Sequence, residues 1–173
     1  MALSLSDISV APFTQTLNAV AGFLKKGADY CQANGISLDE VVETRLYPDM
    51  SPFRFQLISV AHHTMGAIKG VQAGEFAPPS GGGDLNYAGL QALIDEAKSY
   101  VGGLSRESVN AMLGKDVSFK LGANTMPFTA EGFFMSFSLP NMHFHATTAY
   151  DILRMKGVPV GKRDYIGRPQ LKG

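Results

Sequence analysis

The chain holds four histidines in two close pairs: His62 and His63 in "AHHTMG", and His143 and His145 in "LPNMHFHATTAYDILRMKG". An imidazole can ligate a transition metal, move a proton near neutral pH, or accept one hydrogen bond while donating another. The direction of each ring decides which of these is open to it. On an α-helix, residues two apart point about 160° away from each other and adjacent residues about 100° apart. His143 and His145 therefore cannot chelate one ion, and only one of His62 and His63 is expected to face a given pocket. Chelation along a helix needs a spacing of four. Asn141 and Ala149 stand four to either side of His145, and Thr147 stands four beyond His143. No two-histidine helical site is encoded.

The helix that carries His143 and His145 is predicted to start after Thr129, a cap, and to end at Gly157, ahead of Val158-Pro159. Pro140 is expected to kink it, because proline lacks the backbone donor and crowds the carbonyl of Ser136. Two seams recur at heptad spacing. Met135, Leu139, Met142, Ala146, Ala149 and Leu153 form one. Phe134, Ser138, Asn141, His145, Thr148 and Ile152 form the other. No charge stands between Glu131 and Asp151, so both seams are expected to be enclosed. The second places four polar side chains in a row among apolar neighbours. Each buried polar group left unmet costs roughly 1–3 kcal/mol, so the row either closes a hydrogen-bond network or lines a wet pocket.

Three other helices must position this one. The first is predicted from about Asp7 to the turn at Asn34-Gly35, with Val10, Phe13, Leu17, Val20, Leu24 and Cys31 on its apolar face. The second is capped by Ser51 with Pro52 at its first position and stops near Gly74, with Phe53, Leu57, Val60, Thr64, Ala67 and Val71 on one seam. The third is capped by Asp84 and buries Leu90, Ile94, Ala97, Val101 and Leu104. Ser105 opens a short helix. Alternation at Val117, Phe119 and Leu121, then at Met126 and Phe128, predicts a hairpin. The reading is an all-α four-helix bundle with a crossover connection, a kinked last helix and a small β-hairpin before it, in one domain over residues 1–173. Residues 158–173 form a C-terminal tail, with Tyr165 and Ile166 expected to dock on the bundle.

Fifteen basic residues balance fifteen acidic ones, which argues against a nucleic-acid binder. The one basic bias, Arg154, Lys156, Lys162, Arg163, Arg168 and Lys172 against Asp164, reads as a solvated helix end and tail. The uncharged run before Asp151 carries too many polar groups for a membrane span. "GGGDLNYAG" follows a helix and lacks the lysine of a phosphate loop. Cys31 is the only cysteine and falls on an apolar face, as a buried inert thiol. With no signal-peptide pattern at the start, a cytoplasmic location is expected.

"RLYPDMSPFRFQ", the histidine of "AHHTMGAIKG" and "LPNMHFHATTAYDILRMKGVPVGKRDYIG" resemble a family of unknown function in the DinB/YfiT-like superfamily of metalloenzyme-type bundles. The resemblance runs over nearly the whole chain. It implies a four-helix bundle with crossover topology and a homodimer. It also implies a divalent metal held by three histidines, one on the second helix and an i, i+4 pair on the fourth. His63 matches the second-helix histidine and His145 one of the pair. Asn141 and Ala149 occupy the two places for the other, so the three-histidine site is expected to be incomplete.

The candidate site is thus a pocket between the second and fourth helices, formed by His63, Asn141, His145 and Thr148. His145 would be the acid–base group or principal polar contact, and Asn141 an orienting donor. The expected function is small-ligand binding, with no cofactor called for by a motif. The alternatives are a metal-dependent transferase or hydrolase of DinB-like type, with His63 and His145 as ligands, and a non-catalytic dimeric interaction protein.

Overall fold

The structure is a computed structural model and describes residues 3–169 and 171. Lys172 of the basic tail lies outside them. The first predicted helix is α1 (Leu5–Ile8) followed by α2 (Val10–Ala33). A short α3 (Leu38–Glu43), capped by Ser37, leads to α4 (Phe53–Ala61). There α4 passes into one π-turn, His62–Gly66, and continues as α5 (Ala67–Ala73). Then come β1 (Glu75–Phe76), α6 (Tyr87–Gly102), α7 (Arg106–Asn110), β2 (Asp116–Leu121) and β3 (Asn124–Thr129). The last long helix is built from α8 (Ala130–Phe133), a second π-turn at Phe134–Ser138, and α9 (Leu139–Met155). A short α10 (Lys162–Ile166) is the last element described.

The apolar stripes set the packing. Phe13, Leu17, Val20, Leu24 and Cys31 of α2 are fully buried, as are Phe53, Leu57 and Val60 of α4 and Leu90, Ile94, Ala97 and Val101 of α6. Helix α2 packs on α6 and α9, and α4 packs on the same two. Around the bundle the order is therefore α2, α6, α4, α9. The links from α2 to α4 and from α6 to α9 join opposite corners, which is the crossover topology.

Close approach of α2 and α6 depends on Gly27. A Cβ there would stand 2.5 Å from the Tyr87 hydroxyl. That buried hydroxyl donates to the carbonyl of Leu24 at 2.8 Å. Gly27→Ala should break this bond and cost about 1–3 kcal/mol, measured as a lowered urea midpoint.

Between α6 and α8 the hairpin forms, with Val117 opposite Phe128 and Phe119 opposite Met126. Strand β1 adds a third, parallel edge, pairing Phe76 with Phe119. Two caps differ from expectation. Asn86, not Asp84, caps α6, its side chain accepting from Gly89 at 2.9 Å. Pro52 occupies the N-cap of α4, and the Ser51 carbonyl instead accepts from the Gln56 amide.

The last helix is bent where a π-turn ends two residues before Pro140. Leu139 N–H reaches back five residues to the Phe134 carbonyl, and Pro140 falls in the first turn of α9, where a missing donor costs least. The extra residue rotates the upstream part of the helix relative to the downstream part. Met135, expected on the enclosed seam, is 56 % exposed for that reason, while Met142, Ala146, Ala149 and Leu153 are fully buried.

The tail folds back along the bundle. Tyr165 Oη accepts from Thr147 at 2.9 Å, and Gln15 of α2 donates to the Ile166 carbonyl at 2.8 Å. The Ile166 side chain itself stays exposed. Tyr150 meets Phe23 of α2 edge-on and lies beside Tyr165. Among the described residues no helix is long and apolar enough to cross a membrane.

Candidate functional site

Where α4 and its π-turn face α9, the chain forms a cleft of about 190 Å³. His63, Asn141 and His145 line it. Thr148 does not: it is buried one turn further on, donating to the Phe144 carbonyl of its own helix at 2.8 Å. His62 does reach the cleft, contrary to the expectation that only one of the adjacent histidines could. The π-turn explains this. Its wider coil reduces the angle between neighbouring side chains, and the His62 and His63 rings lie 5.5 Å apart. His143 is exposed on another face of α9, as its spacing from His145 required.

The rings of His63 and His145 stack nearly parallel, 6.0 Å between centroids and 13° between planes. Phe76 and Phe137 flank His63 at 5.5 and 5.7 Å. Phe55 stands edge-on to His145 at 5.8 Å. Two prolines, Pro78 and Pro79, complete the lining with these rings. The walls are therefore mostly aromatic. Burial first, and then the neighbouring imidazoles, pull the His63 pKa down to about 3. Burial pulls His145 down to about 4 and lowers His62 as well. All three rings are neutral at physiological pH.

A hydrogen-bond chain fixes the state of His145. Gln56, buried on α4, donates its amide nitrogen to the Ser51 carbonyl at 2.8 Å. That carbonyl can only accept, so the amide oxygen must face the other way, toward His145 Nδ1 at 2.8 Å. A carbonyl oxygen accepts, so Nδ1 carries the proton. His145 Nε2 is left with its lone pair as an acceptor. His62 Nε2 meets the Ala77 carbonyl at 2.7 Å by the same logic, as a donor, and ties the π-turn to the start of the Pro78-Pro79 segment. His63 Nδ1 is buried with no partner among the described residues. Its backbone carbonyl accepts from Ser138 Oγ at 3.0 Å, so the two π-turns are bonded to each other. Asn141, expected to orient a ligand, instead donates to the Phe137 carbonyl four residues back at 2.7 Å.

A metal held by three histidines does not fit these residues. Ala149 and Asn141 stand where a second α9 histidine would be, His145 Nδ1 is engaged by Gln56, and His62 Nε2 by Ala77. Among the described residues no three His, Cys, Asp or Glu side chains are grouped to hold an ion.

Sequence reasoning missed Gln56, although it lies in the "SPFRFQ" run that carried part of the resemblance. Its position three beyond Phe53 placed it on the buried face. A buried amide on a helix facing a histidine-bearing helix was the available signal. A larger groove, about 410 Å³ and lined by Asn18, Lys25, Asp95 and Lys98, lies elsewhere, between α2 and α6. Its charges pair locally, Lys25 with Asp29 and Lys98 with Asp95, in an exposed setting that offers a ligand little.

No curated protein matches the chain in sequence. Among solved structures, that of a DinB family member protein from Shewanella denitrificans superposes with a TM-score of 0.80 at 24% identity, over 98% of this chain and 95% of that one. The likeness extends to the crossover bundle as a whole. The family model described as "Domain of unknown function (DUF1993)" matches residues 5–166, and the chain belongs to that family.

Proposed function

We propose that the cleft between α4 and α9 binds the uncharged ring of a small molecule, recognised by neutral imidazoles rather than by a metal. The observation that carries this reading is the pairing of a tautomer-locked His145 with an unpartnered His63 Nδ1 inside aromatic walls. Buried polar atoms in proteins are nearly always bonded, and the side chain that carries this one lines the cleft. Phe55, Phe76 and Phe137 supply the apolar contact for a ring. The volume, about 190 Å³, suits a molecule smaller than a typical drug.

His145 acts in this reading as a hydrogen-bond acceptor. A base whose conjugate acid has a pKa near 4 takes protons poorly at pH 7. Gln56 is a positioning residue: it keeps the proton on Nδ1 so that Nε2 stays receptive.

Benzyl alcohol is the probe that tests this, its ring against the phenylalanines and its hydroxyl toward His145 Nε2. Titration followed by imidazole NMR should shift His63 and His145 and leave His143 unmoved. His145→Phe, which keeps the ring volume, should weaken binding about tenfold while thermal unfolding shows the fold intact. Unshifted His63 and His145 signals at saturating probe would refute the reading.

A further inference from the structure

Two buried side-chain polar atoms have no hydrogen-bond partner among the described residues: His63 Nδ1 and Arg54 Nε. They belong to adjoining hollows. Arg54 lines a cavity of about 300 Å³ that shares Phe55 and Pro79 with the histidine cleft. Most of the remaining wall of this second cavity is apolar or backbone: Pro52, Ile58, Gly81 and Gly83. Its acidic group is Glu43, from the end of α3, which pairs with Arg54 Nη2.

The two partners of that pair are unequally placed. The Arg54 side chain is 18 % exposed and the Glu43 side chain 58 %. Arg54 is held by its position on α4, two residues before Gln56. Glu43 can turn out into water. A guanidinium also offers Nε–H and Nη2–H along one edge, the geometry that takes a carboxylate with two parallel bonds. Here Glu43 occupies only the Nη2 half of that edge, and Nε–H is left without an acceptor among the described residues.

We infer that Arg54 is an anchoring site for the carboxylate of a small organic acid whose ring lies in the adjoining histidine cleft, with Glu43 as an internal placeholder that the ligand displaces. This deepens the proposed function and rests on it for the ring half of the ligand. It explains why Arg54, set among proline, isoleucine and glycine, keeps an unmet donor beside a cleft that holds an unpartnered polar atom of its own. It also assigns a part to "SPFRFQ": Arg54 anchors, Phe55 forms the shared wall, and Gln56 sets the tautomer of His145.

The test is a series of ω-phenyl carboxylates, phenylacetate, 3-phenylpropionate and 4-phenylbutyrate, each compared with its neutral alcohol by isothermal titration calorimetry on the full chain. The acid of matching length should bind at least about tenfold more tightly than its alcohol, as expected for a hydrogen bond to a charged group. Arg54→Gln should abolish that preference without changing alcohol binding. Arg54→Lys, which keeps the charge and most of the stem but has no Nε–H, should lose most of it too. Glu43→Gln should tighten acid binding, because the competing carboxylate is gone.

Alcohols that bind while every acid binds no better would overturn the Arg54 assignment and leave the histidine reading standing. Acids that bind through Arg54 but ignore His145→Phe would do the reverse. A preference for acids that survives both Arg54 substitutions would also overturn the assignment, as would Glu43→Gln weakening it.

Discussion

Below pH 6.5 the folded state should lose stability steeply, by about 5 kcal/mol at pH 4.5. The cause is the pair of neutral imidazoles in the cleft. In the unfolded chain both titrate near the ordinary histidine value of about 6.5. In the fold, burial holds them neutral until about pH 3 for His63 and about pH 4 for His145. Between these limits the unfolded state binds protons that the folded state refuses, so acid favours unfolding. The stability is fully present above pH 6.5 and is lost as pH falls toward 4 and then 3. Each group contributes about 1.36 kcal/mol per pH unit across its window. His62, also lowered by burial, acts in the same direction. A domain stable by about 5–15 kcal/mol should then unfold cooperatively in weak acid. Urea midpoints taken from pH 7 to pH 4.5 would show the slope. The double variant His63→Gln, His145→Gln should flatten it; an unchanged slope in that variant would place the acid sensitivity elsewhere.

The second large effect is expected from Phe133→Ala, at about 3–5 kcal/mol. Phe133 is fully buried at the junction of the last helix and the sheet. Its ring meets Phe76 of β1 at 5.0 Å, Phe137 at 5.5 Å, Phe128 of β3 at 5.8 Å and Phe134 at 5.9 Å. Such contacts add to the burial energy of each ring, and a hole at their centre has rigid neighbours that cannot collapse into it. Phe76 and Phe137 also wall the cleft, so benzyl alcohol should bind more weakly even where the variant stays folded. Phe133→Leu should cost much less in calorimetric unfolding. Equal losses for the two variants would mean that ring contacts, not the volume removed, carry the effect.

The bundle was legible because its apolar residues repeat at helical spacing. Leu17, Leu57, Leu90 and Ala146 sit where their periodicity put them. Thr129 and Gly157 mark the ends of the last helix as their chemistry predicts, one accepting from the Gly132 N–H and the other at φ 89°. Strand β1 was not legible, since two residues cannot display an alternation. Neither were the π-turns. A wheel drawn at a constant angle per residue has no place for an extra one, and this is what misplaced Met135 and admitted only one of His62 and His63 to the pocket. The candidate site was half legible: His63, Asn141 and His145 share the cleft. Thr148 was assigned to it because a seam records direction around a helix but not depth along it. Gln56 and Arg54 came into view only when α4 was set against its neighbours.

The paired wide turns have a consequence for how such a bundle can change over time. Each amounts to one surplus residue stored within a helix, and each lies beside the cleft, His62–Gly66 on one wall and Phe134–Ser138 at the root of the other. Losing one of those residues would restore a regular coil and leave both flanks facing as they do, because the wide turn absorbs the roughly 100° that an extra residue would otherwise add. A single-codon deletion in the stretch encoding residues 134–138 should therefore keep His145 opposite His63 and alter only the contacts of the turn itself, such as the bond from Ser138 to the His63 carbonyl. Lineages of this fold can thus gain or lose a residue beside the buried site without re-registering the helices that carry it.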